Sequence, residues 1–398
     1  MSGALPLLIN DEHEVVSGNL WLEAAVLAGC LEAPVIRVGH LSKVEQDILM
    51  LALARITERG EWDQTKLKAV FAELDLVADN LDFELSLTGF DLPEIDAHLV
   101  APDEVPNEVL PRVEVEAVSC LGDVWLLGEH RIACGDATKP ETVEALLGSD
   151  RVDAAVADFP YNKPSDAVSG FGATQHPDFA MGAGEITEEE FVAFMVLVMS
   201  LMARFSRKGA VHVCAIDWAS DFAMQTAGRS VYEKLLNICV WVKDRDGMGG
   251  FYRSQHEFMQ IWRVKGARHK NNVKLGRFGR DRSNCWSYAS ANTFGRRGEE
   301  GDLAKTHPTV KNLQMIADAL MDITDRGELV LDPFLGSGTT LIACEKTRRR
   351  CRAIEISPHY VDVAIRRWER WTGEEARLQG CGRTFTELQR ERLAEAGV

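Results

Sequence analysis

The stretch Leu329-Val-Leu-Asp-Pro-Phe-Leu-Gly-Ser-Gly-Thr-Thr-Leu-Ile-Ala-Cys-Glu345 decides the fold of this chain. Its apolar run Leu329–Leu331 predicts a buried parallel strand, which ends at Asp332-Pro333. A glycine turn follows, and a segment with helical periodicity begins at Thr339. A strand, a glycine turn and a helix in this order place free backbone N–H groups at the carboxyl edge of a sheet, where a ligand can approach the backbone closely.

The next apolar run, Cys351–Ile354, ends in Glu355, 19 residues after Gly336. A carboxylate at this spacing suits a pair of ribose hydroxyls, so the predicted ligand contains a nucleoside. The turn lacks Gly-Lys-Ser/Thr, which excludes a phosphate-binding P-loop, and Gly-Ser-Gly is not a full dinucleotide-binding pattern.

The nine residues 332–340, Asp-Pro-Phe-Leu-Gly-Ser-Gly-Thr-Thr, closely resemble the S-adenosylmethionine loop of amino-methylating DNA methyltransferases. Glycine turns between a strand and a helix also occur in proteins without a cofactor, so the resemblance depends on the whole match together with Glu355. It implies S-adenosyl-L-methionine as the cofactor.

A second stretch contains the residues predicted to bind the amine that accepts the transferred group. The apolar run from Val152 predicts a strand that ends in Asp158-Phe159-Pro160-Tyr161. An exocyclic base amine is a poor nucleophile because its lone pair is delocalised into the ring. The Asp158 carboxylate and the Phe159 carbonyl, held extended by Pro160, can accept its two N–H bonds, and Tyr161 can stack on the base. Such a base must leave the duplex to reach the site.

Two positions depart from the family pattern. The family has Asp-Pro-Pro-Tyr where this chain has Phe159 as the second residue, and its His-Pro-Thr-x-Lys-Pro segment begins here at His307 and ends in Asn312. The carbonyl acceptor survives the first change because it belongs to the backbone. Both changes keep open an alternative, a pseudo-methylase that binds DNA without turnover.

In this family a Gly-Asp pair at the end of a strand contacts the adenine of the cofactor, which implies that role for Asp136. A helix N-cap is an equally compatible role for the same residue. The cofactor-binding residues that the resemblance implies are Asp136, His307, Lys311, Asp332, Pro333, Phe334, Gly336, Ser337, Gly338, Thr339 and Glu355.

The acceptor motif precedes the cofactor motif, and this order resembles the β-class of amino methyltransferases. The resemblance implies an α/β, Rossmann-like, S-adenosylmethionine-dependent methyltransferase domain over 119–375, with a target-recognition segment at about 243–306 and a helical tail over 376–398. A leading Asp is commoner in adenine-N6 than in cytosine enzymes, so adenine N6 is the expected target. Methylation of cytosine N4 or of RNA would use the same kind of acceptor pocket, and both remain alternatives.

A basic segment predicts where DNA is bound. Residues 263–282 contain eight Lys or Arg and one Asp. Lys and Arg neutralise phosphates, and Arg and Asn can read base edges, so duplex DNA is the expected partner. The predicted DNA contacts are Arg253, Arg268, Lys270, Asn271, Asn272, Lys274, Arg277, Arg280 and Arg282.

The front of the chain differs in charge from the rest. Residues 1–118 contain 23 acidic and 7 basic residues, a balance of −16, out of −17 for the whole chain. Residues 1–100 partly resemble the small α+β ParB-like N-terminal domain that is often fused to methylases, and a linker with three prolines is predicted at 101–118. Gly18-Asn19-Leu20-Trp21 stands where that family has Gly-His-x-Arg, which favours a degenerate docking module for a protein partner.

Composition bounds the remaining classes. The 398 residues are 46% hydrophobic, without a leader or an apolar run long enough to cross a membrane, so a cytoplasmic protein is expected. Nine scattered cysteines without a Cys-x-x-Cys pair argue against a disulfide framework or structural zinc, and no metal is expected in the reaction. The chain order is compatible with a homodimer.

Overall fold

The computed structural model describes residues 6–59, 62–78, 85–88, 90–100, 111, 113–114, 116–160, 187–247, 251–273, 281–290 and 311–395. The chain divides into two compact units, Met1–Val70 and Phe71–Val398. No helix within these described ranges combines the length and the apolar character needed to span a bilayer.

The first unit is a small α+β module. A three-stranded sheet has the order β2-β1-β3, in which β1 pairs antiparallel with β2 and parallel with β3. Ser42 and Glu45 form a capping box at the start of the second helix: the Ser42 backbone N–H donates to Glu45 Oε2 at 2.8 Å, and the Glu45 N–H donates to Ser42 Oγ at 3.4 Å. The elements are β1 Leu7–Ile9, β2 Val15–Ser17, α1 Asn19–Leu27, β3 Val35–Arg37 and α2 Lys43–Arg59, and α3 Gln64–Ala78 crosses into the second unit.

The second unit contains one large sheet and helices on both of its faces. Its strands are β4 Val124–Leu127, β5 His130–Cys134, β6 Val152–Asp158, β7 Ser206–Ile216, β8 Lys234–Val242, β9 His256–Arg263, β10 Cys285–Ser287, β11 Leu329–Asp332, β12 Arg350–Glu355 and β13 Arg377–Leu378. Its helices are α4 Leu92–Leu99, α5 Pro140–Leu147, α6 Glu188–Phe205, α7 Asp221–Val231, α8 Leu313–Ile323, α9 Thr339–Lys346, α10 Pro358–Thr372 and α11 Phe385–Glu395, with a 3-10 turn at Leu85–Thr88.

The sheet has the order β10-β8-β9-β7-β6-β11-β12-β5-β4-β13 among the described residues. Its centre, β7-β6-β11-β12-β5, is parallel throughout. Two separate apolar cores cover its faces, one with α5, α6 and α7 and the other with α8, α9, α10 and α11. This confirms the predicted mixed α/β, Rossmann-like fold, in which the central strands all end at one edge, called here the carboxyl edge.

Strand β9 was not predicted from the sequence, and it changes where the basic segment lies. It runs antiparallel between β7 and β8, so His256 pairs with Val242 at the carboxyl edge and Arg263 pairs with Lys234 and Val211 at the other end. Residues 264–273 therefore lie at the amino edge of the sheet, opposite the ends of β6 and β11.

The predicted front domain and linker differ from the compact units. Residues 71–100 belong to the second unit, because Asp75 and Asp96 pair with arginines that precede β11 and β12. Most of the predicted linker lies outside the described residues, so its limits stay a prediction. The predicted tail is only partly helical: β13 extends the large sheet beside β4, and Phe385 of α11 packs against Trp125 at 5.4 Å between ring centroids.

Candidate active site at the carboxyl edge

Four predicted site carboxylates meet at the carboxyl edge. Asp158 ends β6, Asp332 ends β11, Glu355 ends β12 and Asp136 follows β5, and these four strands are neighbours in the sheet. The Gly135 backbone N–H donates to the Glu355 carbonyl at 2.9 Å, so the residue before Asp136 is bonded directly to Glu355. The acceptor motif and the cofactor motif, far apart in sequence, are thus brought together because parallel strands end at the same edge.

The glycine turn is held by Glu355. One carboxylate oxygen accepts from the Gly336 N–H at 2.9 Å and the other from the Ser357 N–H at 2.8 Å. Gly338 has a φ of 89°, and an added Cβ there would lie 3.1 Å from the Cβ of Ala364 on α10. Glycine is therefore needed at this position both for its backbone conformation and for the close approach of α10.

Arg367 of α10 contacts this loop, and sequence reasoning missed it. Its buried guanidinium donates from Nη1 to the Ser337 carbonyl at 3.0 Å and to Thr339 Oγ1 at 3.2 Å. The available signal was an arginine three residues after Ala364 and four after Val363, two buried apolar positions of α10. Arg367 fixes the start of α9 from within the protein.

The two other acids of the cofactor side differ in environment. Burial raises the pKa of Asp332 to about 7, against hydrogen bonds from the Thr340 hydroxyl and the Phe334 N–H. Asp136 is half-buried, and its Oδ1 accepts from the backbone and hydroxyl of Thr138 at 2.8 and 2.7 Å. Helix α5 begins at Pro140 with Lys139 as its cap residue, so the alternative role of Asp136 as a helix N-cap is wrong.

Phe159 does not fill the pocket with its ring. The side chain is 1% exposed and lies in the apolar core, edge-on to Phe334 at 5.1 Å and to Phe194 at 6.4 Å between centroids. The ring instead completes the aromatic packing under the cofactor loop. Pro160 is half-buried beside it, whereas Tyr161 and His307 lie outside the described residues.

Lys311 lies on the acceptor carboxylate. Its Nζ is 2.7 Å from Asp158 Oδ2 and 2.9 Å from Glu257 Oε2, and Glu257 Oε1 is 2.6 Å from the Nζ of Lys243. The sequence placed Lys311 among the expected cofactor-binding residues, and it gave no indication of Glu257 or Lys243. Acids and bases thus alternate from Asp158 to Lys243, and the two middle members of the series, Lys311 and Glu257, are buried.

Burial and the neighbouring charges have opposite effects on the pKa values of Asp158, Glu257 and Lys311. Burial raises the pKa of Asp158, and the ammonium group of Lys311 opposes the rise. Burial alone would also raise the pKa of Glu257, but Lys311 and Lys243 outweigh it and lower that pKa to about 2. The two carboxylates in turn raise the pKa of Lys311 against its own desolvation. Glu257 and Lys311 are therefore charged at neutral pH.

Asn312, the second departure from the family pattern, has a structural role. Its Oδ1 accepts from the Met315 N–H at 3.0 Å as the N-cap of α8, and its Nδ2 donates to the Ala289 carbonyl at 3.0 Å. The proline of the family cannot make either side-chain bond. The substitution therefore anchors the residue next to Lys311 and gives no reason to expect a disabled site.

Three of the predicted DNA contacts are engaged within the protein at the amino edge. Lys270 pairs with Asp325 and Glu328, and the buried amide of Asn272 donates to the carbonyls of Met321 and Thr324. Arg282 pairs with Asp318 and Asp322, both at 3.1 Å. These side chains have partners within the protein, and their predicted role in binding DNA stays a prediction.

The other predicted DNA contacts are placed as follows. Arg268 and Asn271 are exposed on the same amino-edge loop, and Arg253 is exposed on the β8–β9 hairpin at the carboxyl edge, 3.2 Å from Asp246. The remaining three, Lys274, Arg277 and Arg280, lie outside the described residues.

The carboxylates and backbone N–H groups at the carboxyl edge fit S-adenosylmethionine. The cofactor carries a positive sulfonium and an ammonium group, and four carboxylates meet at this edge. Both oxygens of Glu355 already accept a backbone N–H, but each keeps a second lone pair for a ribose hydroxyl. The N-terminus of α9 adds free N–H groups beside the glycine turn.

Two family models match the chain. Residues 152–366, more than half of the chain, match the DNA methylase model of the N6/N4 methyltransferases. Residues 65–121 match a ParB-methyltransferase HTH domain. The ParB relationship is thereby confirmed, but the match begins at α3 and extends through the predicted linker.

The curated relatives match over short parts of the chain. Type II methyltransferase M.Cfr9I of Citrobacter freundii is 40% identical over 62 residues, 16% of this chain and 19% of its own length. Orphan methyltransferase M.BamHII of Bacillus amyloliquefaciens is 28% identical over 142 residues, 36% of this chain and 49% of its own length. The chain thus spans less than half the length of either relative.

Solved structures of DNA methylases also resemble it. A DNA modification methylase of Thermus thermophilus, TTHA0409, complexed with S-adenosyl-L-methionine, is 21% identical, with 61% of this chain and 93% of that chain covered and a TM-score of 0.43. The cytosine-N4-specific PvuII DNA methyltransferase is 13% identical, with 65% and 89% covered and a TM-score of 0.46. At these TM-scores neither structure bears on the assignment.

The assignment depends on the extent of the first family match and on the carboxyl edge that it covers. The matched residues include β6 with Asp158, β11 with the glycine turn, and β12 with Glu355. The family uses S-adenosylmethionine to methylate amino groups in DNA. The chain belongs to the N6/N4 family of DNA methylases.

Proposed function

We propose that the protein transfers a methyl group from S-adenosylmethionine to the N6 amine of adenine in duplex DNA, after flipping the base. The observation that carries this proposal is the position of Asp158 at the end of β6, beside the strand that leads into the glycine turn. Acceptor and cofactor loop therefore share one edge. The leading Asp of the acceptor motif, commoner in adenine enzymes of the β-class, supports adenine over cytosine.

The acceptor side works through two oxygen atoms. When bound, the cofactor supplies an electrophilic methyl group on its sulfonium. The Asp158 carboxylate and the Phe159 carbonyl accept the two N–H bonds of the amine, which draws the nitrogen toward tetrahedral geometry and exposes its lone pair. The nitrogen must lose one proton after it gains the methyl group, and Asp158 is placed to receive that proton. Tyr161 is proposed to stack on the base.

The cofactor side divides between the turn and its flanking acids. Glu355 is proposed to bind the ribose hydroxyls, Asp136 the adenine, and the residues of the turn the remaining part of the cofactor. The turn residues are Asp332, Pro333, Phe334, Gly336, Ser337, Gly338 and Thr339. Because Lys311 lies on Asp158, we propose that it acts on the acceptor side rather than on the cofactor.

The proposed DNA-facing surface lies at the carboxyl edge. Trp218 follows β7, and its Nε1 donates to Ser254 Oγ of the β8–β9 hairpin at 3.1 Å. Phe251 and Tyr252 of that hairpin are 90% and 81% exposed, with ring centroids 4.6 Å apart, and Arg253 follows them. Exposed aromatic rings next to a cation suit unpaired bases and phosphates, and β9 connects this hairpin to the acceptor site.

Labelled S-adenosylmethionine and unmethylated duplex DNA test the proposal, with identification of the labelled nucleoside after digestion. We expect N6-methyladenine with the native protein and none with Asp158→Asn. Glu144→Gln, a change on the exposed face of α5, is the control that should keep full activity.

Three other results would replace the proposal. Label in N4-methylcytosine would move the target to cytosine, and label only in RNA would change the substrate. Cofactor and DNA binding without label in any nucleoside would favour the pseudo-methylase hypothesis.

A further inference from the structure

Glu257 lies between Lys311 and Lys243 in the series of alternating charges. It lies at the start of β9 with a side chain that is 9% exposed, and each of its carboxylate oxygens contacts one ammonium group, Lys311 at 2.9 Å and Lys243 at 2.6 Å. Lys311 reaches on to Asp158 at 2.7 Å. The chain of contacts thus links the acceptor carboxylate on β6 to the β8–β9 hairpin.

We propose that Glu257 is a positioning residue of the methyl-transfer site, which holds the ammonium of Lys311 on Asp158 and so orients the carboxyl group of Asp158 toward the target amine. The proposal rests on the function proposed above. Glu257 itself is not assigned a contact with the base or with the cofactor.

Lysine has a flexible side chain. A lysine has a long stem and three donors, so one ion pair does not fix its ammonium group in space. Lys311 is 7% exposed, and a buried ammonium group with one partner would keep part of its desolvation cost. A second carboxylate at 2.9 Å offsets that cost and fixes the direction from which Lys311 approaches Asp158.

Lys243 completes the arrangement. It neutralises the other oxygen of Glu257, and its Nζ lies 4.8 Å from the ring centroid of Trp241, which also lies 6.0 Å from the Nζ of Lys311. Among the described residues, the two acids and two bases of this arrangement balance in charge. The indole of Trp241 forms a common floor for both ammonium groups.

Within the described part of the chain, the charges that face Asp158 come from four elements, and they make opposite predictions for two variants. Lys311 before α8 and Lys243 after β8 favour the ionised carboxylate, whereas Glu257 on β9 and Asp332 on β11 disfavour it. Removal of the Glu257 charge should shift protonation of Asp158 to lower pH. Removal of the Lys311 charge should shift it to higher pH.

The test is the pH profile of kcat for Glu257→Gln and Lys311→Met in the full chain, with KM for DNA and for cofactor measured beside it. For Glu257→Gln we expect kcat to fall roughly tenfold to hundredfold with little change in either KM, since a small misplacement of a reacting group has an effect of this size. The acid limb of its profile should move to lower pH, and that of Lys311→Met to higher pH.

Glu233→Gln is the matched control. Glu233 pairs with Arg263 at 2.7 Å between the same two strands, but at the amino edge. It should leave kcat and the acid limb unchanged. A Glu257→Gln protein with the kcat and acid limb of the native protein would overturn the proposal, and so would equal shifts in Glu257→Gln and Glu233→Gln.

A readout without turnover separates this proposal from the proposed function. Carbon-13 NMR of the Asp158 carboxyl follows its protonation directly in the native protein and in Glu257→Gln. A native protein without methyl transfer would reject the proposed function, yet a smaller effect of Lys311→Met on the Asp158 titration in Glu257→Gln than in the native protein would still support the positioning role. An equal effect in both backgrounds would reject it.

Discussion

At the scale of single residues, the buried acid Asp332 should make stability depend on pH. Its folded pKa of about 7 lies above the ordinary value of 3.8, so the folded state binds a proton that the unfolded state has lost. The stabilisation is present in full below about pH 4 and is lost as the pH rises through about 7.

Asp332→Asn should remove this dependence. Urea unfolding at pH 4 to 8 should show that native stability falls relative to the variant by up to about 4 kcal/mol, because each pKa unit is worth about 1.4 kcal/mol. Glu144→Gln serves as the control for an exposed carboxylate. Parallel curves for native protein and Asp332→Asn would contradict the prediction.

Sequence reasoning identified residues well where one short segment contains the whole pattern. Asp158, Asp332 and Glu355 each end an apolar strand, and parallel strands bring such ends together. Glu257, Lys243 and Arg367 have no such local signal. Their partners lie between 14 and 54 residues away in sequence, and an isolated Glu or Lys on a strand looks like any solvent-facing charge.

At the scale of elements, the β8–β9 hairpin should govern DNA affinity. Phe251→Ala and Tyr252→Ala should each raise KM for DNA about tenfold with kcat nearly unchanged, since stacking on a base is worth about 1–3 kcal/mol. KM for the cofactor should not change. The measurement is methyl transfer at varied DNA concentration.

Leu121→Ala provides the comparison for loss of an exposed apolar side chain, because Leu121 is 68% exposed before β4, far from the hairpin in the sheet order. If this variant and Tyr252→Ala raise KM equally, the hairpin has no specific role.

The same hairpin shows why one strand was not predicted. In β9, the apolar pairs Phe258-Met259 and Ile261-Trp262 are three residues apart, which suits a helix as well as a strand. The strand is covered on both faces, so it lacks the alternation of a half-buried strand. Without β9, the sequence could not show that residues 264–273 lie at the amino edge.

At the scale of the whole molecule, a cluster of acids and arginines joins the segment of the HTH match to the methylase core. Asp96 of α4 pairs with Arg326 and with Arg349 at 2.6 and 2.8 Å, and Asp75 of α3 pairs with Arg326 and Arg348. Composition favoured an acidic front module that is separate from the core. The pairing partners could not be read from the sequence, because both acids lie more than 200 residues before the arginines.

Asp96→Ala should therefore destabilise the second unit strongly. Arg349 is 1% exposed, and removal of its carboxylate partner leaves a buried charge, which typically costs about 3–5 kcal/mol. Asp75→Ala should cost less, because Arg348 is 46% exposed and regains water. Urea unfolding of the two variants, followed by far-UV circular dichroism, checks the order; an equal loss in both would refute it.

These ion pairs can form only after the arginines have been synthesised, well after Asp75 and Asp96. Asp96 precedes Arg349 by 253 residues, which at roughly 5–20 residues per second corresponds to about 10–50 s of elongation on the ribosome. During that interval α3 and α4 have left the ribosome without the arginines that neutralise them. The excess of negative charge in residues 1–118 should favour the solubility of that segment until the arginines have been synthesised.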